Sequence, residues 1–297
     1  WSIQPKVKSN KIYIKYLLER FQIIPLSLLV ASDILVIYRI TSDKNIVIWK
    51  YFISFLFVIL YLFHNRLADD RRDFDFDNKF HPDRAVQRGL ISLNKLKTLS
   101  FISIVLMILL SGSFNFLSLA IFIPLILYAL FAKKDFFLAH DFKEKHLFGY
   151  NFLNMLQILS LQVFIYASMI DSLHFNSFIC FHILFVFVLS LQVEVTRKIK
   201  PGTSLGKDLY SDRMGMGGAI VLWGSFGIFS LFISAYLAYM LNIDFNTIIL
   251  VEFVMLLLFF IGGMLYYLKK SLTYENYFWA IMFLTYIGQN LFLAYAQ

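Results

Sequence analysis

Nine long apolar runs dominate this sequence, and each is close to the length needed to cross a membrane as an α-helix. A hydrocarbon core of about 30 Å requires roughly 17 to 25 predominantly apolar residues. The approximate ranges of the runs are 17–38, 46–64, 98–112, 115–132, 150–171, 174–193, 216–241, 245–268 and 276–296. We therefore predict an all-α integral membrane protein that forms a single domain over residues 1–297. The third and fourth runs should form a tight hairpin, because only a few residues separate them.

The composition agrees with a chain that is solvated mostly by lipid. Hydrophobic residues make up 59% of the chain and charged residues only 15%, whereas a soluble domain carries about 25% charged residues. The 34 Phe and 17 Tyr side chains could form belts at the membrane interfaces or line an apolar cavity. Composition alone does not choose between these two roles.

The distribution of basic residues predicts the orientation in the membrane. With the N-terminus placed in the cytoplasm, every Lys and Arg of the 27 falls on the cytoplasmic side except Arg39, Lys44 and Lys50. Cytoplasmic loops retain positive charge during insertion, so this alternation fits nine spans. The same bias, facing an anionic leaflet, accounts for the net charge of +8 without a nucleic-acid partner. We expect a multi-pass membrane protein with its N-terminus and the loops at 65–97 and 194–215 on the cytoplasmic side.

The cytoplasmic loop at about residues 65–97 carries regularly spaced carboxylates. Asp69, Asp73 and Asp77 recur every four residues, so they share one face if the second helix continues beyond the membrane. Stacked like charges repel each other, and Mg²⁺ would compensate because it shares one or two protein carboxylates with substrate phosphate oxygens. The loop also holds Arg66, Arg71, Arg72, Arg84 and Arg88. These residues predict a magnesium–diphosphate site, the alternative being a solvated loop whose acids pair with its own arginines.

The loop at about residues 194–215 is the second candidate. Glu194 lies at the membrane exit, and Arg197 and Lys198 follow within one helical turn. This spacing suits one carboxylate ligand with cations that face phosphate oxygens. Asp208 and Asp212 follow later in the loop. The acids of a second metal cluster could therefore be Glu194 with Asp208, or Asp208 with Asp212.

These motifs resemble those of the UbiA superfamily of intramembrane prenyltransferases. The run R-x-x-D-D-x-x-D-x-x-x-D followed by H-P-D-R-A-V-Q-R-G-L-I-S is similar to the family's first signature, with Asp69 in place of the usual Asn and with Asp73 and Asp77 at the spaced aspartates. The E-x-x-R-K-I run at Glu194, the later D-x-Y-S and the Asp135-Phe-Phe run near the fourth span resemble a bacterial subgroup. The second loop lacks the family's usual D-x-x-x-D at Glu194.

The resemblance implies nine helices around a central cavity and Mg²⁺-dependent ionisation of an isoprenyl diphosphate. An aromatic or other acceptor then captures the prenyl group, although a membrane terpene cyclase that needs no acceptor is the alternative. A transporter is disfavoured because the charges cluster at one interface and no internal repeat is visible. The implied catalytic and metal-binding acids are Asp69, Asp73, Asp77 and Glu194, with Asp208 as a further metal ligand. The implied diphosphate-binding residues are Arg66, Arg84, Arg88, Arg197, Lys198, Lys207 and Tyr210.

Several polar residues lie within or near the spans. For amides such as Gln157, Gln162 and Asn290, hydrogen bonding between helices is the favoured interpretation over contact with an acceptor. Asp33 is expected near a span end, where it could reach the interface.

Overall fold

The computed structural model describes residues 9–41, 47–138, 142–202 and 208–295, and within these ranges the regular secondary structure is helical. The short elements are α1 (Ser9–Tyr16), a π-helical turn (Leu17–Phe21), α4 (Phe74–Phe80), a 3-10 turn (Asp135–Phe137) and α7 (Phe142–Lys145). The long helices are α2 (Ile23–Thr41), α3 (Trp49–Arg72), α5 (Leu93–Phe114), α6 (Phe116–Lys133), α8 (Leu147–Ile170), α9 (Ser177–Arg197), α10 (Tyr210–Met240), α11 (Phe245–Lys269) and α12 (Leu272–Tyr295).

Nine helices in the described ranges are long and apolar enough to span a membrane, which confirms the predicted number. The first span begins later than residue 17, because Gln22 adopts a left-handed conformation (φ 48°) between the π-helical turn and α2. Pro25 has no N–H to donate to the carbonyl of Phe21, which removes one backbone hydrogen bond that a continuous α-helix would make here. The predicted tight hairpin is confirmed, since Asn115 alone separates α5 from α6 and caps α6 through the backbone N–H of Ser118 at 2.7 Å.

The long helices pack in chain order and close into a ring. Each one packs on the next, from α2 through α12, and α12 returns to pack against α2. Buried apolar side chains fill the contacts between the helices. Large apolar side chains such as Phe232 and Phe260 remain exposed on the outside, as expected for a surface that faces lipid. The arrangement is compatible with the predicted central cavity, which stays a prediction.

One end of this ring, which we call the motif face, carries both sequence motifs. It comprises the described parts of three connections, 73–92, 134–138 with 142–146, and 198–202 with 208–209, between the ends of α3, α6 and α9 and the starts of α5, α8 and α10. A small apolar cluster lies beneath the first connection, where Tyr16, Leu67, Val86 and Ile91 are buried together. This cluster fixes α1 and the first connection against α3 and α5.

Candidate active site

The three spaced aspartates lie on successive helical turns, but the prediction that all three share one face is wrong for Asp77, because α3 ends at Arg72 and Asp77 pairs with Arg84. Helix α3 runs past residue 64 to Arg72, and α4 follows after Asp73. Backbone hydrogen bonds from Asp73 N–H to the Asp69 carbonyl (2.9 Å) and from Asp77 N–H to the Asp73 carbonyl (2.8 Å) continue the helical ladder. The side chains differ in exposure, which is 40% for Asp69, 25% for Asp73 and 2% for Asp77.

Asp69 and Asp73 form an open pair that shares one guanidinium. Arg72 lies 3.0 Å from Asp69 and donates two hydrogen bonds of 3.1 Å to the two carboxylate oxygens of Asp73. It also donates to the backbone carbonyl of Ala132, at the end of α6, at 3.2 Å. Arg72 therefore ties the exposed acids of the first loop to the neighbouring helix.

Asp135 of the acid-Phe-Phe run joins the same cluster. Its carboxylate lies 3.5 Å from the Arg72 guanidinium and accepts a hydrogen bond of 2.5 Å from the Tyr150 hydroxyl. Asp135, Phe136 and Phe137 have φ values of 50°, 55° and 55°. A left-handed conformation costs about 1–2 kcal/mol for each residue with a Cβ atom. Three consecutive left-handed residues thus hold the Asp135 carboxylate beside Arg72 at a conformational cost. Backbone strain of this kind is concentrated at functional sites.

Asp77 and its neighbour Asp70 face the other way, into a buried ionic network. Asp77 pairs with Arg84 and lies 3.9 Å from Arg20. Asp70 accepts a hydrogen bond of 2.8 Å from the Tyr16 hydroxyl, two from Arg20 (2.5 and 3.2 Å) and one from Arg66. Burial, together with the Asp70 carboxylate, raises the pKa of the Tyr16 hydroxyl above its usual value, so this hydroxyl stays protonated and donates. The network clamps the N-terminal segment to the acidic loop.

The three first-loop arginines that were expected to bind phosphate are each held by a carboxylate. Arg66 pairs with Asp70, Arg84 with Asp77, and Arg88 with Glu19 at 2.5 Å. The structure thus places these arginines in the ionic network around the N-terminal segment. Their predicted contact with a diphosphate stays a prediction.

The second motif forms a compact cluster at the end of α9. Glu194 lies 2.6 Å from Arg197 and 3.3 Å from Lys198. Lys198 donates a hydrogen bond of 2.8 Å to the Asn151 side-chain carbonyl, and Asn151 donates one of 3.0 Å to the buried Tyr210 hydroxyl. Tyr210 therefore positions Lys198 through Asn151.

The two motifs approach each other across the motif face. The Arg197 guanidinium, whose side chain is 51% exposed, interacts electrostatically with the Asp69 carboxylate. His81 of the first loop lies 3.7 Å from Asp208 of the second. Asp212 accepts a hydrogen bond from the Leu209 backbone N–H at 3.3 Å, at the start of α10. Lys207, another expected diphosphate ligand, lies outside the described residues.

The whole fold has close counterparts among solved structures. No protein-family model and no curated protein sequence matches this chain. A UbiA homologue from Aeropyrum pernix K1 superposes over 89% of this chain and 96% of its own, with a TM-score of 0.65 and 11% sequence identity. The chain has the UbiA fold. A structure of digeranylgeranylglyceryl phosphate synthase also matches, over 95% of this chain and 99% of its own, with a TM-score of 0.56 and 18% identity. The resemblance stated from the motifs is confirmed at the level of the fold.

In this UbiA fold, the acids on the motif face fit a metal ion whose ligands come partly from the protein and partly from a substrate, and not a metal enclosed by protein ligands alone. Within the described ranges, no three His, Cys, Asp or Glu side chains come close enough together to enclose a metal ion. Mg²⁺ commonly takes one or two protein carboxylates and completes its shell with water and phosphate oxygens. The partly exposed pair Asp69 and Asp73 meets that requirement, although both now pair with Arg72, whereas Asp77 is buried.

The polar residues inside the UbiA-fold bundle bond across helices. Gln162 donates to Asp33 at 2.7 Å, and the Asn290 amide donates to the Ser32 hydroxyl at 3.0 Å. The interhelical interpretation is thus confirmed for these amides. The expectation for Asp33 is wrong: it is buried in the middle of α2, because Gln162 of α8 supplies the polar partner that the interface would otherwise provide.

Sequence reasoning missed three residues that shape this site, namely Asp70, Arg20 and Asn151, and it named Arg72 without placing it between Asp69 and Asp73. The pairing of Arg66 with Asp70 could have been found, because the two are spaced i, i+4 on one helix. Arg20 and Asn151 reach their partners only through the tertiary fold, over 50 and 47 residues respectively.

Proposed function

We propose that this protein is a Mg²⁺-dependent intramembrane prenyltransferase, which ionises an isoprenyl diphosphate and transfers the prenyl group to an acceptor. One observation carries the proposal. The open carboxylates Asp69 and Asp73 and the cations Arg197 and Lys198 converge on one end of an apolar helical ring. The UbiA fold adds support, because one solved neighbour is named as digeranylgeranylglyceryl phosphate synthase.

Arg197 and Lys198 would bind the diphosphate. Arg197 is half-exposed and already lies within electrostatic reach of both motifs, and Lys198 is held in place by Asn151. Charge-assisted hydrogen bonds from such groups to phosphate oxygens are roughly twice as strong as neutral ones. These two residues would thus orient the leaving group towards the acids of the first loop.

Asp69 and Asp73 would hold the metal, with Glu194 and Asp208 as further candidates from the second loop. When bound, Mg²⁺ neutralises the charge that develops on the departing diphosphate. Arg72 now occupies the space between these carboxylates. We expect Arg72 to give up part of this pairing when the substrate arrives and to keep its contact with Asp135.

The chemical step needs an apolar space that excludes water. The allylic C–O bond breaks and its electron pair leaves with the diphosphate, so the prenyl chain becomes an allylic cation. An acceptor nucleophile, aromatic or otherwise, then forms a bond to that carbon and loses a proton. Aromatic side chains fill the bundle, for example the stacked rings of Phe57 and Phe164 at 4.1 Å. An interior of this kind shields a cation from water and offers aromatic faces to it.

We further propose that the motif face is cytoplasmic and that the host membrane is the bacterial inner membrane. Within the described ranges, all the basic residues except Arg39 and Lys50 belong to segments on or leading into this face. Positive charge retained on the cytoplasmic side is the general determinant of orientation.

Turnover of the purified protein tests the proposal. We expect diphosphate release from geranyl, farnesyl or geranylgeranyl diphosphate when Mg²⁺ and a bacterial lipid extract are supplied, with a prenylated lipid as the product. Excess EDTA should abolish release, and added Mg²⁺ should restore it, because the leaving group then regains its counter-ion. A cyclic hydrocarbon or alcohol formed without any acceptor would identify a terpene cyclase instead. Release that is unaffected by EDTA would contradict the metal assignment.

A further inference from the structure

A depression on the motif face lies beside the acidic cluster and shares Arg72 with it. It is a pocket of about 450 Å³ between the end of α3, the start of α5 and the end of α6. Five of its seven lining residues are cationic, namely Arg71, Arg72, Lys97, Lys133 and Lys134. The pocket therefore concentrates positive charge in a concave space.

Arg72 is paired with acids, but the other four cations of this pocket are not neutralised by the described residues around them. Among the residues whose positions are described, Arg71, Lys97, Lys133 and Lys134 have no carboxylate partner. Arg71, Lys97 and Lys134 all lie near enough to Lys133 to repel it electrostatically. Gathering like charges in one place is unfavourable unless an anion binds between them.

Five arginines elsewhere on the motif face behave differently. Arg20, Arg66, Arg84, Arg88 and Arg197 all pair with acids. The positive-inside bias requires basic residues on the cytoplasmic side, but it does not require several of them to converge on one cavity without acids. The pocket thus has the features of an anion site in addition to those of a membrane anchor.

The surroundings of the pocket indicate which anion it takes. On α5, exposed Lys97 lies between exposed Leu93 and Phe101 at intervals of four residues, so all three follow one stripe. On α6, the exposed apolar side chains Ile123, Leu127 and Leu130 form a stripe that ends at Lys134. Apolar stripes that face the membrane thus lead directly into the cationic pocket.

We propose that this pocket binds the phosphate headgroup of an anionic membrane lipid, whose acyl chains lie against the outer surface of the α5–α6 hairpin. Basic pockets between membrane helices commonly bind lipid headgroups, and the apolar stripes supply a surface for the chains. The headgroup would contact Arg72, which also holds Asp69 and Asp73. The lipid site is therefore linked to the acidic cluster through one guanidinium.

Lipid binding to the purified full-length protein tests this proposal without any prenyl diphosphate. Detergent-solubilised protein is titrated with phosphatidylglycerol, phosphatidylcholine or inorganic phosphate, and bound ligand is counted by native mass spectrometry. We expect saturable binding of one phosphatidylglycerol, at least about 10-fold tighter than phosphatidylcholine. The variant Lys97→Gln/Lys133→Gln should weaken that binding by about 30-fold, because each removed cation contributes roughly a factor of five.

The matched control is Lys95→Gln/Lys269→Gln. It removes the same charge from the first turn of α5 and the last turn of a spanning helix, but outside the pocket. Its affinity for phosphatidylglycerol should stay within about twofold of the unmodified protein. The single variant Lys97→Gln changes an exposed position and should weaken binding about fivefold. It keeps the proposal testable if the double variant does not fold. Equal losses in both double variants, no preference for the anionic lipid, or binding of inorganic phosphate as tight as that of phosphatidylglycerol would overturn the proposal.

Discussion

Replacement of Asp73 by Asn is expected to reduce turnover of a prenyl diphosphate by about 100-fold or more, with little loss of stability. A metal ion that stabilises a leaving group supplies several kcal/mol, and each 1.36 kcal/mol is tenfold in rate. The stability effect should be small because Asp73 is partly exposed, and because Arg72 keeps Asp69 and Asp135 as partners. The measurement is the initial rate of diphosphate release under saturating Mg²⁺, alongside the melting temperature.

Asp75→Asn is the matched control for this experiment. It removes the same charge two residues away, from an exposed side chain on α4. Its rate should remain within about twofold of the unmodified protein, since exposed charges contribute little. Equal activity of the Asp73→Asn variant and this control would remove the basis for placing a metal at the first motif.

The largest stability effect is expected for Asp70→Ala, which should destabilise the protein by about 3–5 kcal/mol. Asp70 is buried and holds two guanidiniums, Arg20 and Arg66, together with the Tyr16 hydroxyl. Without the carboxylate, these two partly buried cations face each other. We expect a large fall in the melting temperature and faster proteolysis of the N-terminal segment, because Asp70 clamps that segment to α3.

Two further variants separate the charge from the hydrogen bond. Tyr16→Phe removes one donor to Asp70 and should cost only about 1 kcal/mol. Asp75→Ala truncates an exposed acid and should be nearly neutral. A melting temperature for Asp70→Ala that equals that of Asp75→Ala would show that the buried network does not hold the segment in place.

Most of the fold could be predicted from the sequence, because a long apolar run in lipid satisfies its backbone hydrogen bonds by forming an α-helix. The hydropathy pattern predicted nine spans, and nine are found in the described ranges. It failed at helix ends that hydropathy does not mark. Helix α3 carries charged residues to Arg72, and Pro25 with the left-handed Gln22 delays the start of α2.

The candidate site was predictable only as far as local geometry determines it. The spacing of four residues correctly placed Asp69, Asp73 and Asp77 on successive turns. It could not show that Asp77 is buried against Arg84 while the other two acids remain open, because Arg20 and the N-terminal segment create that difference. The contact between Arg72 and Asp135 likewise depends on three left-handed residues after α6. No local sequence pattern predicts this backbone conformation.

A structure determined with Mg²⁺ and a non-cleavable thiolodiphosphate analogue of farnesyl diphosphate would be the most direct measurement. The account predicts metal density at Asp69 and Asp73, phosphate oxygens within about 3 Å of Arg197 and Lys198, and Arg72 displaced from at least one carboxylate. If saturating analogue and Mg²⁺ leave Arg72 paired with both carboxylates, and neither metal nor phosphate is bound at the motif face, the proposed chemistry is contradicted.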